Sequence, residues 1–184
     1  MNPTLPIYGI NHQSSPVAIR ERLAYSDVEM MPALVRLKKQ APSLAEVALL
    51  STCNRVEIIG AGTNGGRALE ESVSFLANDR AVTPESFKSA LYKFEGREAA
   101  RHLFRVSASL DSMIVGEPQI LGQTKVAYAQ AAKAGTTGLV LHRAFHIGHK
   151  AISASSMAVS LVGRIFDRLD DKTAMLIGAG GWAS

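Results

Sequence analysis

Short apolar runs bounded by polar turns fill the first half of this chain of 184 residues, and helix-period patterns fill the second. Ile7-Tyr8-Gly9-Ile10 predicts a strand, followed by the polar turn Asn11-His12-Gln13-Ser14-Ser15-Pro16. Ser15 is the expected cap of a helix starting near Pro16-Val17, since proline is tolerated in a first turn. Ser26 and Glu29 form a capping box for a second helix. Met30, Leu34 and Leu37 give that helix its apolar face, and Pro42 stops it. Residues 46–50 and 56–61 read as an antiparallel strand pair around a polar turn, with glycines at 60, 62, 65 and 66 marking the next loop. A helix over 67–78 carries Leu69, Val73 and Leu76 at helical spacing. Thr83-Pro84-Glu85 opens a short helix, and residues 90–94 form a further strand candidate. The sum, βαββαβ, predicts an α+β sandwich of the split-βαβ type.

After Gly96 the pattern turns helical. Residues 97–110 offer Ala100, Leu103, Phe104 and Val106 as one face, and the alanine-rich stretch 123–134 is a good helix former. Helices over 139–150 and 155–169 follow. Thr173-Ala174-Met175-Leu176-Ile177 is then an apolar strand running into Gly178-Ala179-Gly180, like the opening of a nucleotide-binding βα unit.

Composition narrows the class. An apolar share of 47% against 20% charged residues suits a globular protein with a full core. No apolar run reaches the roughly 18 residues of a membrane span. The start, Met1 to Pro6, lacks the charged and apolar regions of a secretory signal. A cytoplasmic setting is expected. The net charge of +4 is scattered, so an ordinary basic surface and a polyanionic partner both remain open.

Cys53 is the single cysteine, in Ser51-Thr52-Cys53-Asn54-Arg55-Val56-Glu57. It has no intramolecular disulfide partner and no second thiol for a cysteine-based metal site; no metal is expected. It is either a buried small hydrophobe or a nucleophile on a loop held by two strands. Arg55 and the backbone N–H groups of the turn are the surroundings that favour a thiolate. A second stretch, residues 112–123, joins two helices while mixing apolar residues with Ser112, Glu117, Gln119 and Gln123. Pro118 rigidifies it, and Gly116 and Gly122 permit close backbone approach. It reads equally as a packed connector or as a loop gripping a small polar substrate.

Taken together, Ser51–Glu57, His102-Leu103-Phe104-Arg105-Val106 and Asp111–Gln123 resemble glutamyl-tRNA reductases. Gly9-Ile10-Asn11-His12 with Pro16-Val17 and Arg20-Glu21 resembles that family's N-terminal start. The resemblance runs from Leu5 to Phe166. It implies NADPH-dependent reduction of glutamyl-tRNA to glutamate-1-semialdehyde, the first step of tetrapyrrole synthesis by the five-carbon route. On that reading Cys53 attacks the aminoacyl ester to form a thioester, the two-step logic of covalent catalysis. The resemblance assigns glutamyl binding to Thr52, Asn54, Arg55, Ser112, Glu117, Pro118, Gln119 and Gln123. Arg55 would pair with the substrate carboxylate and Glu117 would meet the α-ammonium. It makes His102 a proton donor or carbonyl polariser, although a lone helix histidine also suits a structural role. Gly178, Ala179, Gly180, Gly181, Trp182 and Ala183 occupy the family's NADPH-binding glycine loop, with Ala183 where a third glycine is usual.

The implied organisation is a catalytic domain over 1–150, then a linking helix and the first strand of a Rossmann-type domain over 151–184. A homodimer and hand-off of product to glutamate-1-semialdehyde aminomutase are the implied associations, with no membrane. Two departures stand out. The family's arginine-rich stretch, resembling V-R-T-E-T, is missing after Lys150, and the chain stops at Ser184. These 184 residues are therefore expected not to bind NADPH tightly or transfer hydride alone. A non-catalytic tRNA-binding or regulatory module, and a cysteine-dependent acyl transferase or esterase, are the competing readings.

Overall fold

A computed structural model describes residues 3–111 and 119–149. Four strands, β1 (Pro6–Asn11), β2 (Leu44–Thr52), β3 (Arg55–Gly62) and β4 (Tyr92–Glu95), form one antiparallel sheet in the order β2-β3-β1-β4. With α1 (Val17–Leu23) and α2 (Asp27–Gln40) between β1 and β2, and α3 (Gly65–Asp79) between β3 and β4, this is the split-βαβ topology expected from the sequence. α4 (Gly96–Ser107), α5 (Gln119–Lys133) and a helix over residues 139–149 follow. The predicted linking helix, Rossmann strand, glycine loop and boundary near residue 150 lie outside the described residues.

The central strands β1 and β3 are buried along their whole length, so both sheet faces are covered. Antiparallel register puts Asn11, Gly9 and Ile7 opposite Arg55, Glu57 and Ile59, with Tyr92 and Phe94 following on β4. Because side chains alternate across a strand, these residues share one face. His102 of α4 lies against it, its ring stacked on Phe94 with centroids 4.6 Å apart. On the opposite face Tyr8 donates its hydroxyl to Gly65 O at the start of α3 (2.8 Å).

Edge strand β2 is protected rather than left open. Val47 N donates to Thr136 O and Thr136 Oγ1 to Val47 O, both at 2.8 Å. The Glu46 carboxylate accepts from Val140 N (3.0 Å) and Leu141 N (2.8 Å), satisfying free N–H groups at the start of the last helix. A covered edge does not recruit further strands.

Several local expectations hold. The Ser26–Glu29 capping box forms, and α2 ends at Gln40, two residues before Pro42. Others shift. Ser15 does not cap α1: its hydroxyl donates back to Asn11 O (3.2 Å), and Pro16 is the N-cap. The buried face of α4 is Ala99, His102, Leu103, Val106 and Ser107, with Ala100 and Phe104 only half-buried. α5 begins four residues earlier than predicted, so Gln119 and Gln123 stand one turn apart on the same helix. A 3-10 turn, Lys88–Ala90, delays β4 to Tyr92.

Candidate active site

The β2–β3 hairpin closes through two residues, Cys53 and Asn54. Its shape is set by Thr52, whose Oγ1 accepts from Asn54 N and Arg55 N, both at 3.2 Å. Such side-chain-to-backbone bonds are the usual way a Ser or Thr builds a turn. Cys53 is exposed at the tip, which removes the buried-hydrophobe alternative. Behind it stands Arg20 of α1, 8% exposed, with Nε 3.4 Å from Cys53 O and Nη1 2.5 Å from Ser15 O. This cation ties the turn after β1 to the cysteine hairpin.

Arg55 points inward. It is 1% exposed, and its Nη1 donates to Glu57 Oε1 at 2.8 Å. It also donates to Asp111 O, while Asp111 Oδ2 sits 3.4 Å from both terminal nitrogens. The guanidinium beside the thiol hairpin is therefore Arg20's, and Arg55 is not an open hook for an incoming anion. The approach of the Asp111 carboxylate is long, however, so this second partner is held more loosely than Glu57.

Glu57 is the centre of the buried network. Its Oε1 accepts from Arg55, from His102 Nε2 (2.8 Å) and from the Tyr92 hydroxyl. Its Oε2 finds no partner among the described residues. Burial pushes this carboxyl up, but the His102 hydrogen bond and the Arg55 charge outweigh it and hold it at about 2. Glu57 is thus an anion that only accepts, so the Nε2 nitrogen of His102 carries the hydrogen. The same burial, with the Glu57 charge beside it, keeps the Tyr92 phenol well above its ordinary range and therefore neutral. Gly9, directly opposite Glu57, makes room for it: a Cβ there would lie 2.7 Å from Glu57 Cγ and 2.6 Å from Val56 O. Removing one member of a buried ion pair costs about 3–5 kcal/mol, because the other charge stays behind unpaired.

Two recesses lie near the cysteine hairpin, neither of them lined by Cys53 itself. One, of about 430 Å³, is lined by Asn11, Gln13, Ser14, Tyr92, Phe94, Glu98, Arg101, His102, Arg105 and Asp111. It borders the hairpin directly, since Asn11 is the register partner of Arg55 and Asp111 is bonded to it. The other, of about 390 Å³, lies at the β2 edge and includes Ser51, Gln119 and Gln123. The structure thus gathers Thr52, Cys53, Asn54 and Arg55 at one turn, places His102 on the first recess and puts Gln119 and Gln123 on the second. Ser112, Glu117, Pro118 and residues 178–183 lie outside the described residues.

The family model described as "Glutamyl-tRNAGlu reductase, N-terminal domain" matches residues 8–159. The chain belongs to that family. Curated relatives named glutamyl-tRNA reductase include those of Desulfatibacillum aliphaticivorans, 41% identical over 96% of this chain and 44% of the relative, and of Solibacter usitatus, 43% identical over 96% and 45%. A solved structure, "Glutamyl-tRNA Reductase from Methanopyrus kandleri", aligns with a TM-score of 0.61 at 31% identity, covering 91% of this chain and 41% of that one. The chain therefore spans less than half the length of these glutamyl-tRNA reductases. Among its described residues no helix is long and apolar enough to cross a membrane.

Glu57, Tyr92, Asp111 and Arg20 belong to the site although the sequence pattern did not single them out. One signal was available: Arg55 and Glu57, two residues apart on a strand, must share a face. Two opposite charges at the head of an otherwise apolar strand mark an internal ion pair.

Proposed function

We propose that this chain carries out the acyl-capture step in the reduction of glutamyl-tRNA to glutamate-1-semialdehyde. The observation that supports it best is Cys53, exposed at a two-residue turn that is braced by Thr52 and Arg20. The Cys53 thiolate attacks the ester carbonyl carbon. A C–S bond forms, the ester C–O bond breaks, and the 3′ oxygen of the tRNA leaves with a proton. His102 takes part in proton transfer. Its Nε2 is committed to Glu57, which leaves Nδ1 as the nitrogen that exchanges a proton.

Thr52, Asn54, Ser112, Glu117, Pro118, Gln119 and Gln123 hold the glutamyl group. Arg55 joins them when the substrate carboxylate replaces the loosely held Asp111 carboxylate. NADPH, assigned to Gly178, Ala179, Gly180, Gly181, Trp182 and Ala183 by the resemblance alone, supplies the hydride that turns the thioester into the aldehyde and frees the thiol. A cytoplasmic homodimer that passes its product to glutamate-1-semialdehyde aminomutase completes the reading.

The test is release of uncharged tRNA from glutamyl-tRNA by the chain and by its Cys53→Ser variant, without NADPH. Release of one tRNA per chain that depends on Cys53 supports the assignment. Equal release by the two proteins refutes it.

A further inference from the structure

Five histidines occur in the chain, and acyl capture uses one of them. Two others, His142 and His146, stand four residues apart on the helix over residues 139–149, which puts them on the same face one turn apart. Both residues are exposed. Their rings lie nearly parallel, with 11° between the planes and centroids 5.9 Å apart. That spacing suits a shared ligand: two imidazole nitrogens bound to one ion at about 2.0–2.1 Å bring their ring centres roughly 5–6 Å apart.

His142 is also held in place. Its Nδ1 lies 2.5 Å from the hydroxyl oxygen of Tyr128 on α5, and the Tyr128 ring packs against His142 and Phe145 with centroids at 6.0 and 5.2 Å. With Nδ1 engaged, Nε2 is the nitrogen left to meet an external partner. When Nδ1 donates its hydrogen to Tyr128, the Nε2 lone pair faces outward. An outer partner of this kind is what fixes tautomer and ring orientation in metal-ligating histidines. His146 makes no hydrogen bond through its ring among the described residues, so its nitrogens are open. His149, one turn further along, does not join the pair: its Nε2 is buried and its ring packs against Phe145.

We propose that His142 and His146 together bind one divalent transition-metal ion, His142 through Nε2, with the Tyr128 hydroxyl as its outer brace. Among the described residues no three His, Cys, Asp or Glu side chains gather around one point. The chain therefore offers two imidazole nitrogens, and water fills the remaining positions. Neutral imidazoles without a carboxylate select Cu²⁺, Ni²⁺ and Zn²⁺ over Mg²⁺ and Ca²⁺, with Cu²⁺ held tightest. The ion staples one turn of the helix whose first N–H groups are held by Glu46 of β2. An ion that binds only the folded chain raises its stability. None of this rests on acyl capture by Cys53.

The experiment uses the untagged chain carrying Cys53→Ser, since a thiolate would itself take these ions. Ni²⁺ and Cu²⁺ binding are measured by isothermal titration calorimetry. Electron paramagnetic resonance of the Cu²⁺ complex counts the bound nitrogens. One ion per chain with two nitrogens is expected, together with a melting temperature that rises with ion concentration. Tyr128→Phe, which keeps the ring and removes only the hydroxyl, should weaken binding about 10-fold. His142→Ala and His146→Ala should each weaken it further and abolish the rise in melting temperature, with circular dichroism confirming that the variants stay folded. Absence of saturable binding, a single-nitrogen spectrum, or an affinity that survives either histidine substitution overturns the proposal. Unchanged affinity in Tyr128→Phe overturns the role given to its hydroxyl.

Discussion

The Oε1 oxygen of Glu57 lies 2.8 Å from the Nε2 nitrogen of His102, joining the head of β3 to the buried face of α4. That bond fixes which ring nitrogen carries the hydrogen and seats the histidine between Phe94 and Tyr92. It also explains why a polar residue occupies a core position on α4.

Replacing Glu57 by Gln removes the charge that balances Arg55 within the buried network. The variant is expected to lose about 3–5 kcal/mol of unfolding free energy, the cost of stranding one buried partner. Urea denaturation monitored by circular dichroism measures it. A loss below about 1 kcal/mol would mean that the pair contributes little to the fold.

The same carboxylate imposes a pH dependence with a definite sign. Its folded pKa, about 2, is below the roughly 4.3 of an unfolded glutamate. The stabilisation is fully present above the unfolded value and is lost as pH falls through the folded one. Unfolding free energy should therefore drop by on the order of 3 kcal/mol between about pH 5 and pH 2 from this group alone. Glu57→Gln should show a correspondingly flatter acid limb, and parallel profiles for the two proteins would contradict the assignment.

Gly9→Ala tests the space that β1 leaves for Glu57. The added methyl meets Val56 O at 2.6 Å and Glu57 Cγ at 2.7 Å, so strand β1 must shift. Overpacking of this kind costs about 1–3 kcal/mol, and the melting temperature reports it. Since Glu57 is what the methyl displaces, Cys53 acylation should also slow. A neutral substitution would show that the strands separate more easily than the register implies.

Arg20→Met removes the cation that links Ser15 O to Cys53 O while keeping much of the side-chain volume. The expected loss is about 1.5–3 kcal/mol of stability, the usual worth of hydrogen bonds to a charged group. Acylation by glutamyl-tRNA should fall further than stability alone explains, because the hairpin tip loses its brace. Single-turnover acylation rates on folded protein separate the two effects. An unaltered rate would make Arg20 a purely structural residue.

Most of the sheet was legible because strands buried on both faces read as apolar runs, as in Val47–Leu50 and Ile58–Ile59. The Ser26–Glu29 box was equally plain, since its chemistry is local. What the pattern hid was non-local. His102 reads only as a lone helix histidine, structural or catalytic, until Glu57, 45 positions earlier, is seen to accept its hydrogen. Nor does the pattern show that Arg55 is already engaged by Asp111, 56 positions later. Ser15 has the composition of a cap, but Asn11 O lies within reach and takes its hydroxyl. The hairpin that presents Cys53 could be read from the sequence; the ion network beneath it could not.

Everything proposed for the site depends on Cys53 forming a thioester with the glutamyl group. The decisive experiment is mass spectrometry of the intact chain, quenched after mixing with glutamyl-tRNA in the absence of NADPH. The expected product is an adduct of one glutamyl group on the peptide containing Cys53, released by hydroxylamine and absent from Cys53→Ser. No adduct on the unsubstituted chain, or an adduct that persists in Cys53→Ser, would contradict it.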